Sequence, residues 1–257
     1  MSKKPNIAVA GIGNLGWNLS LKLYERGFDV CQIVTKKTNR RQKFAKRIDA
    51  DLVENLSELK DKVDLLFICM PDDRITEVIS DIKQKDLAIV HCSGYTEMIK
   101  HKNNPTGVFY PFQTFTKYFS VDWDGIPIFI ESDDKELRKT LRKIGEEISQ
   151  NVLEMTHEQR KAIHIAGVFG SNFTNHLLYI VKSILDKQKV PFEIMKPLME
   201  ETIRKAFDHG PAGAQTGPAK RGDDMVIKAH LEQLKGDKRL KEFYGMFTDS
   251  IKSDYIE

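Results

Sequence analysis

Ile7-Ala8-Val9-Ala10-Gly11-Ile12-Gly13-Asn14-Leu15-Gly16 is the stretch that most narrows what this chain can fold into. A short apolar run ends in G-x-G-x-x-G, and Leu15, Leu19, Leu21 and Leu23 then begin an amphipathic pattern. The stretch reads as a strand, a tight turn and the start of a helix. Gly11 lets the chain turn sharply, Gly13 lets the backbone approach a pyrophosphate, and Gly16 lets the helix press on the strand. Bound phosphates would meet the positive end of the helix, where the first N–H groups have no intrahelical partner. Gly11, Gly13, Asn14, Leu15 and Gly16 are therefore the expected dinucleotide contacts. The alternative is a tight turn in an α/β protein that binds nothing.

Phe28–Val34 reads as the second strand, reached through a turn at Gly27. A site for the ribose 2′-hydroxyl of NAD usually offers Asp or Glu about twenty residues after the glycines. Here the strand runs out at Thr35-Lys36-Lys37-Thr38-Asn39-Arg40-Arg41, which has no carboxylate and four cations. Thr35, Lys36 and Arg40 suit a 2′-phosphate, by charge-assisted hydrogen bonds and by the missing repulsion. NADP(H) is therefore the expected cofactor. A basic first turn of a surface helix is the simpler alternative.

Val63–Met70 is a nearly unbroken apolar run, as in a central parallel strand covered on both faces. It stops at Pro71, and a helical pattern follows through Ile75, Val78, Ile79 and Ile82. Leu87–Cys92 is the next strand, ending at Ser93-Gly94. Ligands in open α/β sheets bind at the carboxyl ends of strands, so Met70, Pro71, Ser93 and Gly94 join the candidate cofactor set. A strand running into an aromatic loop is expected over 107–115, and further strands at 126–130 and 151–153, with a charged helix at 135–148 between the last two. The total is about seven or eight strands.

From Thr156 the strand signal stops. Thr156 and Gln159 form a possible capping box. The helical pattern then runs past Lys182, with soft interruptions at Gly167 and Gly170. Another helix opens after Pro191 and reaches about Phe207. The Gly- and Pro-rich segment 208–223 is too long for a simple turn and reads as a functional or interface loop. The expected fold is α/β: a Rossmann-type, mostly parallel sheet with helices on both faces, followed by an all-α domain. The expected domains are 1–152 for NADP binding and 153–257 for substrate binding and dimerisation.

The 257 residues can bury a real core, and a net charge of +3 gives no global basic field for nucleic acid. No apolar run approaches the ~20 residues of a membrane span. Met1-Ser2-Lys3-Lys4-Pro5 leads straight into a strand rather than a signal-peptide core. Cys31, Cys69 and Cys92 lie in apolar strand-like runs without C-x-x-C spacing, so they read as buried reduced thiols rather than disulfides or metal ligands. The expected location is the cytoplasm, with no nucleic-acid or membrane partner.

The densest polar cluster in an apolar context is His164-Ile165-Ala166-Gly167-Val168-Phe169-Gly170-Ser171-Asn172-Phe173-Thr174-Asn175-His176. At about 100° per residue, His164, Ser171 and Asn175 share a narrow helical stripe, with Asn172 at its edge. His164 could give a proton to a carbonyl or imine as hydride arrives, with Asn172 or Asn175 orienting the substrate and Ser171 beside it. A packed interface of satisfied polar groups is the alternative. His176 points further round and reads as structural. Arg221 could hold a substrate carboxylate in a forked geometry, or form a clamp with Asp223 that orders the loop across a subunit interface.

Four motifs together resemble Rossmann-like proteins with a C-terminal domain of unknown function, number 2520. They are the glycine turn 11–16, Tyr110-Pro111-Phe112-Gln113-Thr114-Phe115, His164 with Gly167–Phe173, and Thr216-Gly217-Pro218-Ala219-Lys220-Arg221-Gly222-Asp223. The group is similar to pyrroline-5-carboxylate reductase and to the 6-phosphogluconate and β-hydroxyacid dehydrogenases. The resemblance implies an NADP-linked oxidoreductase acting as a homodimer through its helical domain, with the site between the two domains. The β-hydroxyacid dehydrogenases carry a catalytic Lys on the long helix with Asn one turn later. Here Val168 follows His164 and Asn175 follows Ser171, so no Lys serves as the acid. Tyr110 is given no catalytic role.

Two functions follow. One is an NADPH-dependent reductase of a small carbonyl or imine compound, with His164 as acid. The other is a non-catalytic dimer that senses NADP(H). The polar stripe favours the enzyme, since a sensor needs no His and Asn facing a nicotinamide.

Overall fold

The computed structural model describes residues 4–117 and 119–255. Met1, Ser2 and Lys3, the head of the run expected to lead into the first strand, lie outside the described residues. The chain forms two compact units, one up to Asn175 and one from His176 onward.

Among the described residues the first unit holds eight strands: β1 (Ile7–Ala10), β2 (Val30–Val34), β3 (Asp51–Val53), β4 (Leu65–Ile68), β5 (Ala88–His91), β6 (Thr106–Pro111), β7 (Pro127–Glu131) and β8 (Asn151–Glu154). They make one sheet in the order β3-β2-β1-β4-β5-β6-β7-β8. β1 to β6 run parallel; β7 is antiparallel to β6, and β8 is parallel to β7. The strand order reverses at β1, between β2 and β4, which is the switch point where doubly wound sheets open a crevice for ligands.

The edge strand β3 is absent from the sequence reading. Its Asp51-Leu52-Val53 is too short and too polar to show a strand pattern, and it forms by pairing with Gln32, Ile33 and Val34 of β2. β2 itself starts at Val30 rather than Phe28, because the chain is still closing the turn at Gly27, with φ 74°.

Helices α1 (Asn14–Glu25), α2 (Asn39–Arg47), α3 (Asp72–Ser80) and α4 (Lys135–Ile148) cover the sheet. Leu19 and Leu23 of α1, Phe44 of α2, and Leu137, Leu141 and Ile144 of α4 pack with Ile7, Val9, Leu65 and Phe67 on one face. Ile75, Val78 and Ile79 of α3 pack with Ala8, Ala10, Leu66 and Ile68 on the other. Alternate strand residues thus feed opposite cores, which is why β1 and β4 read as unbroken apolar runs.

Helix α5 (His157–Gly167) starts at the expected capping box, with Thr156 and Gln159 bonded reciprocally. The helical run expected after it continues to Lys187, but not in one register. Val168–Phe173 is a π-helical segment, and α6 (Thr174–Lys187) resumes beyond it. A π-turn carries the equivalent of an inserted residue, so side chains beyond it turn by roughly 100° from the register of a regular helix. The stripe joining His164 to Ser171 and Asn175 therefore does not carry through the segment.

The second unit contains most of α6, α7 (Lys196–His209), α8 (Pro211–Ala214), α9 (Pro218–Arg221), α10 (Asp224–Gln233) and α11 (Lys238–Tyr255). The expected loop 208–223 holds two single helical turns, α8 and α9. Each opens with Pro at the first helical position after a glycine at positive φ, Gly210 at 76° and Gly217 at 105°. Proline is preset for a helix start, and glycine supplies the reversal before it. Among the described residues no helix is long and apolar enough to cross a membrane.

The tightest joint of the sheet unit lies at Gly16. A Cβ there would stand 2.0 Å from Gly11 O and 3.0 Å from Cys69 Cβ. Backbone cannot yield as a side chain does, so Gly16→Ala should destabilise the sheet unit by about 1–3 kcal/mol, as overpacking does. Urea unfolding of variant and wild type checks this, and an unchanged midpoint would contradict it.

Candidate active site in the sheet unit

The carboxyl ends of β2, β1, β4, β5 and β6 form a row, and most candidate residues lie along it. Gly11 follows β1 at φ 87°, with no room for a side chain: a Cβ would meet Cys69 O at 2.7 Å and Met70 Cγ at 2.9 Å. Gly13 is the opposite case, since nothing lies within 4 Å of where its Cβ would be. It is the N-cap of α1 without a side-chain cap bond, and the first intrahelical bond runs from Trp17 N–H to Gly13 O. The N–H groups of Asn14, Leu15 and Gly16 therefore lie at an uncapped helix start beside open space, which fits a pyrophosphate.

Thr35 follows β2, where its N–H donates to Val53 O at 2.9 Å. Lys36 and Arg40 are exposed, and Arg40 lies 5.3 Å over the Trp17 ring. Arg41 folds back, donating to Lys36 O at 3.1 Å, while Thr38 caps α2. One carboxylate does reach this loop: Glu54, after β3, accepts the Lys37 N–H at 2.8 Å. No local reading of the β2 end shows it, because it arrives from the edge strand. Met70 and the exposed Pro71 follow β4, with Pro71 at the N-cap of α3.

Ser93 and Gly94 follow β5. The Ser93 hydroxyl accepts the N–H groups of Tyr95 and Thr96 at 3.0 and 2.8 Å, so it shapes its own loop. Gly94 lies under two side chains: a Cβ would meet Tyr110 Cζ at 2.5 Å and His164 Nδ1 at 2.6 Å. Those two groups are hydrogen-bonded, Tyr110 hydroxyl to His164 Nδ1, at 3.2 Å. Burial pushes the Tyr110 phenol up to about 12, helped by the charge of Asp72 and opposed by that of Arg160. The phenol holds its proton at neutral pH. With it donated to Nδ1, His164 carries its own proton on Nε2.

Arg160, one turn before His164, is 1% exposed. Its guanidinium donates to Ser93 O at 3.2 Å, Thr96 O at 2.7 Å and Glu131 Oε2 at 2.7 Å, while Nε is buried without a partner. His91, at the end of β5, is also buried. Its Nδ1 accepts the Ser93 N–H at 3.2 Å and its Nε2 lies 3.1 Å from Glu97 O, which fixes the neutral Nε2–H tautomer. Burial, then the Arg160 charge, lowers its pKa to about 4.

The structure thus joins Gly94 and His164 and adds Arg160 and His91, together with Tyr110, which the sequence placed in a family motif without a catalytic role. The pairing of Tyr110 with His164 and of Arg160 with the β5 loop gave no signal because the partners lie 54 and 67 positions away. Ser171 is half-buried in the π-helical segment; Asn172 and Asn175 are exposed. Arg221, in the second unit, is exposed at the end of α9. Among the described residues no ion pair joins it to Asp223, whose carboxylate instead caps α10 by accepting the Val226 N–H at 3.3 Å.

Two family descriptions match the chain: NADP oxidoreductase, coenzyme F420-dependent, over residues 6–94, and domain of unknown function DUF2520 over residues 126–251. A crystal structure from Bacteroides fragilis, provisionally named an NADP oxidoreductase, is 34% identical with a TM-score of 0.89, covering 97% of this chain and 98% of that one. An imine reductase from Myxococcus stipitatus, in complex with NADP+, is 12% identical with a TM-score of 0.66, covering 98% and 96%. A 1-pyrroline-5-carboxylate reductase from Streptococcus pyogenes is 12% identical with a TM-score of 0.60, covering 97% and 98%. At that identity the last two share the fold. No curated protein matches the chain.

His91 makes the sheet unit acid-sensitive. Above pH 6.5 neither folded nor unfolded chain carries its proton. As pH falls from 6.5 toward 4, the unfolded chain takes up a proton that the folded site refuses, so stability drops. Below about 4 both are protonated, and the loss levels off at roughly 3 kcal/mol, at ~1.4 kcal/mol per pH unit. His91→Gln should flatten this part of the stability–pH curve, measured by urea unfolding from pH 7 to 4. An equally steep curve in the variant would place the acid sensitivity elsewhere.

Proposed function

We propose, for a chain that belongs to the Rossmann-type NADP oxidoreductases with a C-terminal DUF2520 domain, that it reduces a small imine or carbonyl compound with NADPH in the cytoplasm. The observation that carries this reading is the Tyr110–His164 pair seated on Gly94. It stands at the carboxyl ends of β5 and β6, in the same row as the uncapped helix start after β1.

The residues present fit a dinucleotide. Gly13 leaves open space for phosphates, and Lys36 and Arg40 give cations for a 2′-phosphate. The bound nicotinamide supplies the hydride. The Nε2–H of His164 donates to the imine nitrogen or carbonyl oxygen, and as that proton moves the Tyr110 phenol proton passes to Nδ1, so that the imidazole stays neutral and solvent reprotonates the phenolate. Names of structural neighbours favour an imine: two folds of this kind belong to an imine reductase and a 1-pyrroline-5-carboxylate reductase.

The working form in this reading is a homodimer through the helical unit. Leu198, Ile203 and Phe207 of α7 are exposed, Phe207 by 87%, and so large an apolar surface marks an interaction site. Phe207→Asp should shift the species seen by light scattering from dimer to monomer.

Binding is tested first by thermal unfolding with NADPH, NADH or neither. NADPH at a hundred times its dissociation constant should stabilise by about 2.7 kcal/mol. Lys36→Gln with Arg40→Gln should weaken NADPH roughly 10–100-fold and leave NADH unchanged, the value of charged hydrogen bonds. Against a panel of cyclic imines, His164→Ala should lose about 10²–10⁴ in turnover while keeping NADPH affinity. Tyr110→Phe should fall between the two. Tight NADPH binding with no turnover on any imine or carbonyl would favour the sensor instead.

A further inference from the structure

We propose that Cys69 and Cys92 form a dithiol that closes to a disulfide under peroxide and thereby controls dinucleotide binding at the glycine turn. The controlling half rests on the cofactor reading above; the thiol chemistry does not.

The two Sγ atoms stand 3.6 Å apart. β4 and β5 pair in register up to Ile68 and His91, so Cys69 and Cys92 are the next facing residues on neighbouring parallel strands. Cys69 N–H donates to Ala10 O at 2.8 Å, and Cys92 N–H to Ile68 O at 3.1 Å, which extends the ladder through both positions. Both side chains pack with the core on the α1 face, whereas Cys31 belongs to the core on the other face. Cys92 is buried and Cys69 half-buried, so Cys69 is the one an oxidant can reach.

Cys69 is wedged under the turn. Its carbonyl oxygen lies 2.7 Å from where a Gly11 Cβ would be, and its Cβ lies 3.0 Å from where a Gly16 Cβ would be. A disulfide holds its sulfurs about 2.05 Å apart, against the 3.6 Å between these two thiols. Closure therefore brings the two sulfurs together by roughly 1.5 Å and moves the Cys69 side chain beneath Gly11 and Gly16. Cys69 fills the room that side chains at Gly11 and Gly16 would need, so its movement is passed to the phosphate-binding turn.

The chemistry balances. The Cys69 sulfur attacks hydrogen peroxide, the O–O bond breaks, and the sulfur is oxidised by two electrons to a sulfenic acid as one water leaves. The Cys92 sulfur then attacks it, the S–S bond forms as the S–O bond breaks, and a second water leaves with the Cys92 proton. Burial pushes the Cys92 thiol well up from its ordinary range, so Cys92 is the poorer nucleophile of the pair and Cys69 is the sulfur that peroxide meets first. A thiol reductant restores both thiols by exchange and becomes a disulfide itself.

The test uses the reduced full-length protein, treated with hydrogen peroxide and capped with iodoacetamide. Intact mass and peptide mapping read the cross-link, and an NADPH titration reads affinity before oxidation, after it, and after dithiothreitol. The expected result is a loss of two hydrogens, a Cys69–Cys92 peptide pair and an NADPH dissociation constant raised at least tenfold. Dithiothreitol should reverse all three. Cys92→Ala and Cys69→Ala should each form no such pair and keep NADPH affinity through brief oxidation. Absence of the cross-link overturns the proposal, as does a cross-linked protein that binds NADPH as before. If the reduced protein binds neither NADPH nor NADH, the cofactor reading falls and the controlling half with it, while the mass measurement still decides the dithiol.

Discussion

The buried guanidinium of Arg160 is the interaction on which the arrangement of the candidate site depends. It reaches from α5 to the carbonyls of Ser93 and Thr96 in the loop after β5, and to Glu131 at the end of β7. A charge this deep is costly unless it is paired and its donors are used. Glu131 supplies the countercharge and remains 22% exposed. The two carbonyls belong to the loop that carries Gly94, so the groups that satisfy the charge are the ones that place the floor of the site.

Arg160, His164 and Gly167 are spaced by four and then three positions, so they share one face of α5. That face meets the sheet through three different contacts. Arg160 clamps the β5 loop, His164 bonds Tyr110 at the end of β6, and Gly167 admits the Phe112 ring, which a Cβ would meet at 2.6 Å. Gly94 makes the matching concession from the sheet side. Two glycines and one buried arginine thus let a helix rest on strand ends closely enough for a histidine to reach a tyrosine. The π-helical segment begins just after this face ends, and the chain leaves it in a different helical register.

The parallel sheet was legible because its strands are buried on both faces and its glycine turn has a spacing tied to a shape. The capping box at Thr156 and the helix at 135–148 were legible because their signals are local. β3 was not, since pairing to β2 makes it a strand and its own residues do not. The π-helical segment escaped because periodicity assumes the regular rotation that the segment breaks. The site was half legible for the same reason. His164 stands out as a polar residue in an apolar run, whereas Tyr110 looks like one aromatic among several in 109–115. Only folding shows that one of them meets the imidazole, and that Arg160 is a buried clamp rather than one more surface cation.

The charge of Arg160 also bears on why an imidazole, not an ammonium, occupies this face. Its field acts on both polar neighbours: it helps lower the pKa of His91 and opposes the rise at Tyr110. A lysine placed on the same face one turn later would bring a second cation into that field, with the nearby carboxylate already engaged by Arg160. An imidazole at this place avoids that repulsion, and its tautomer is set by the hydrogen bond at Nδ1. Tyr110 fixes it, because burial keeps the phenol protonated far above neutral pH. His91 and Tyr110 both hold constant protonation around pH 7, one neutral because burial disfavours its cation and one neutral because burial disfavours its anion.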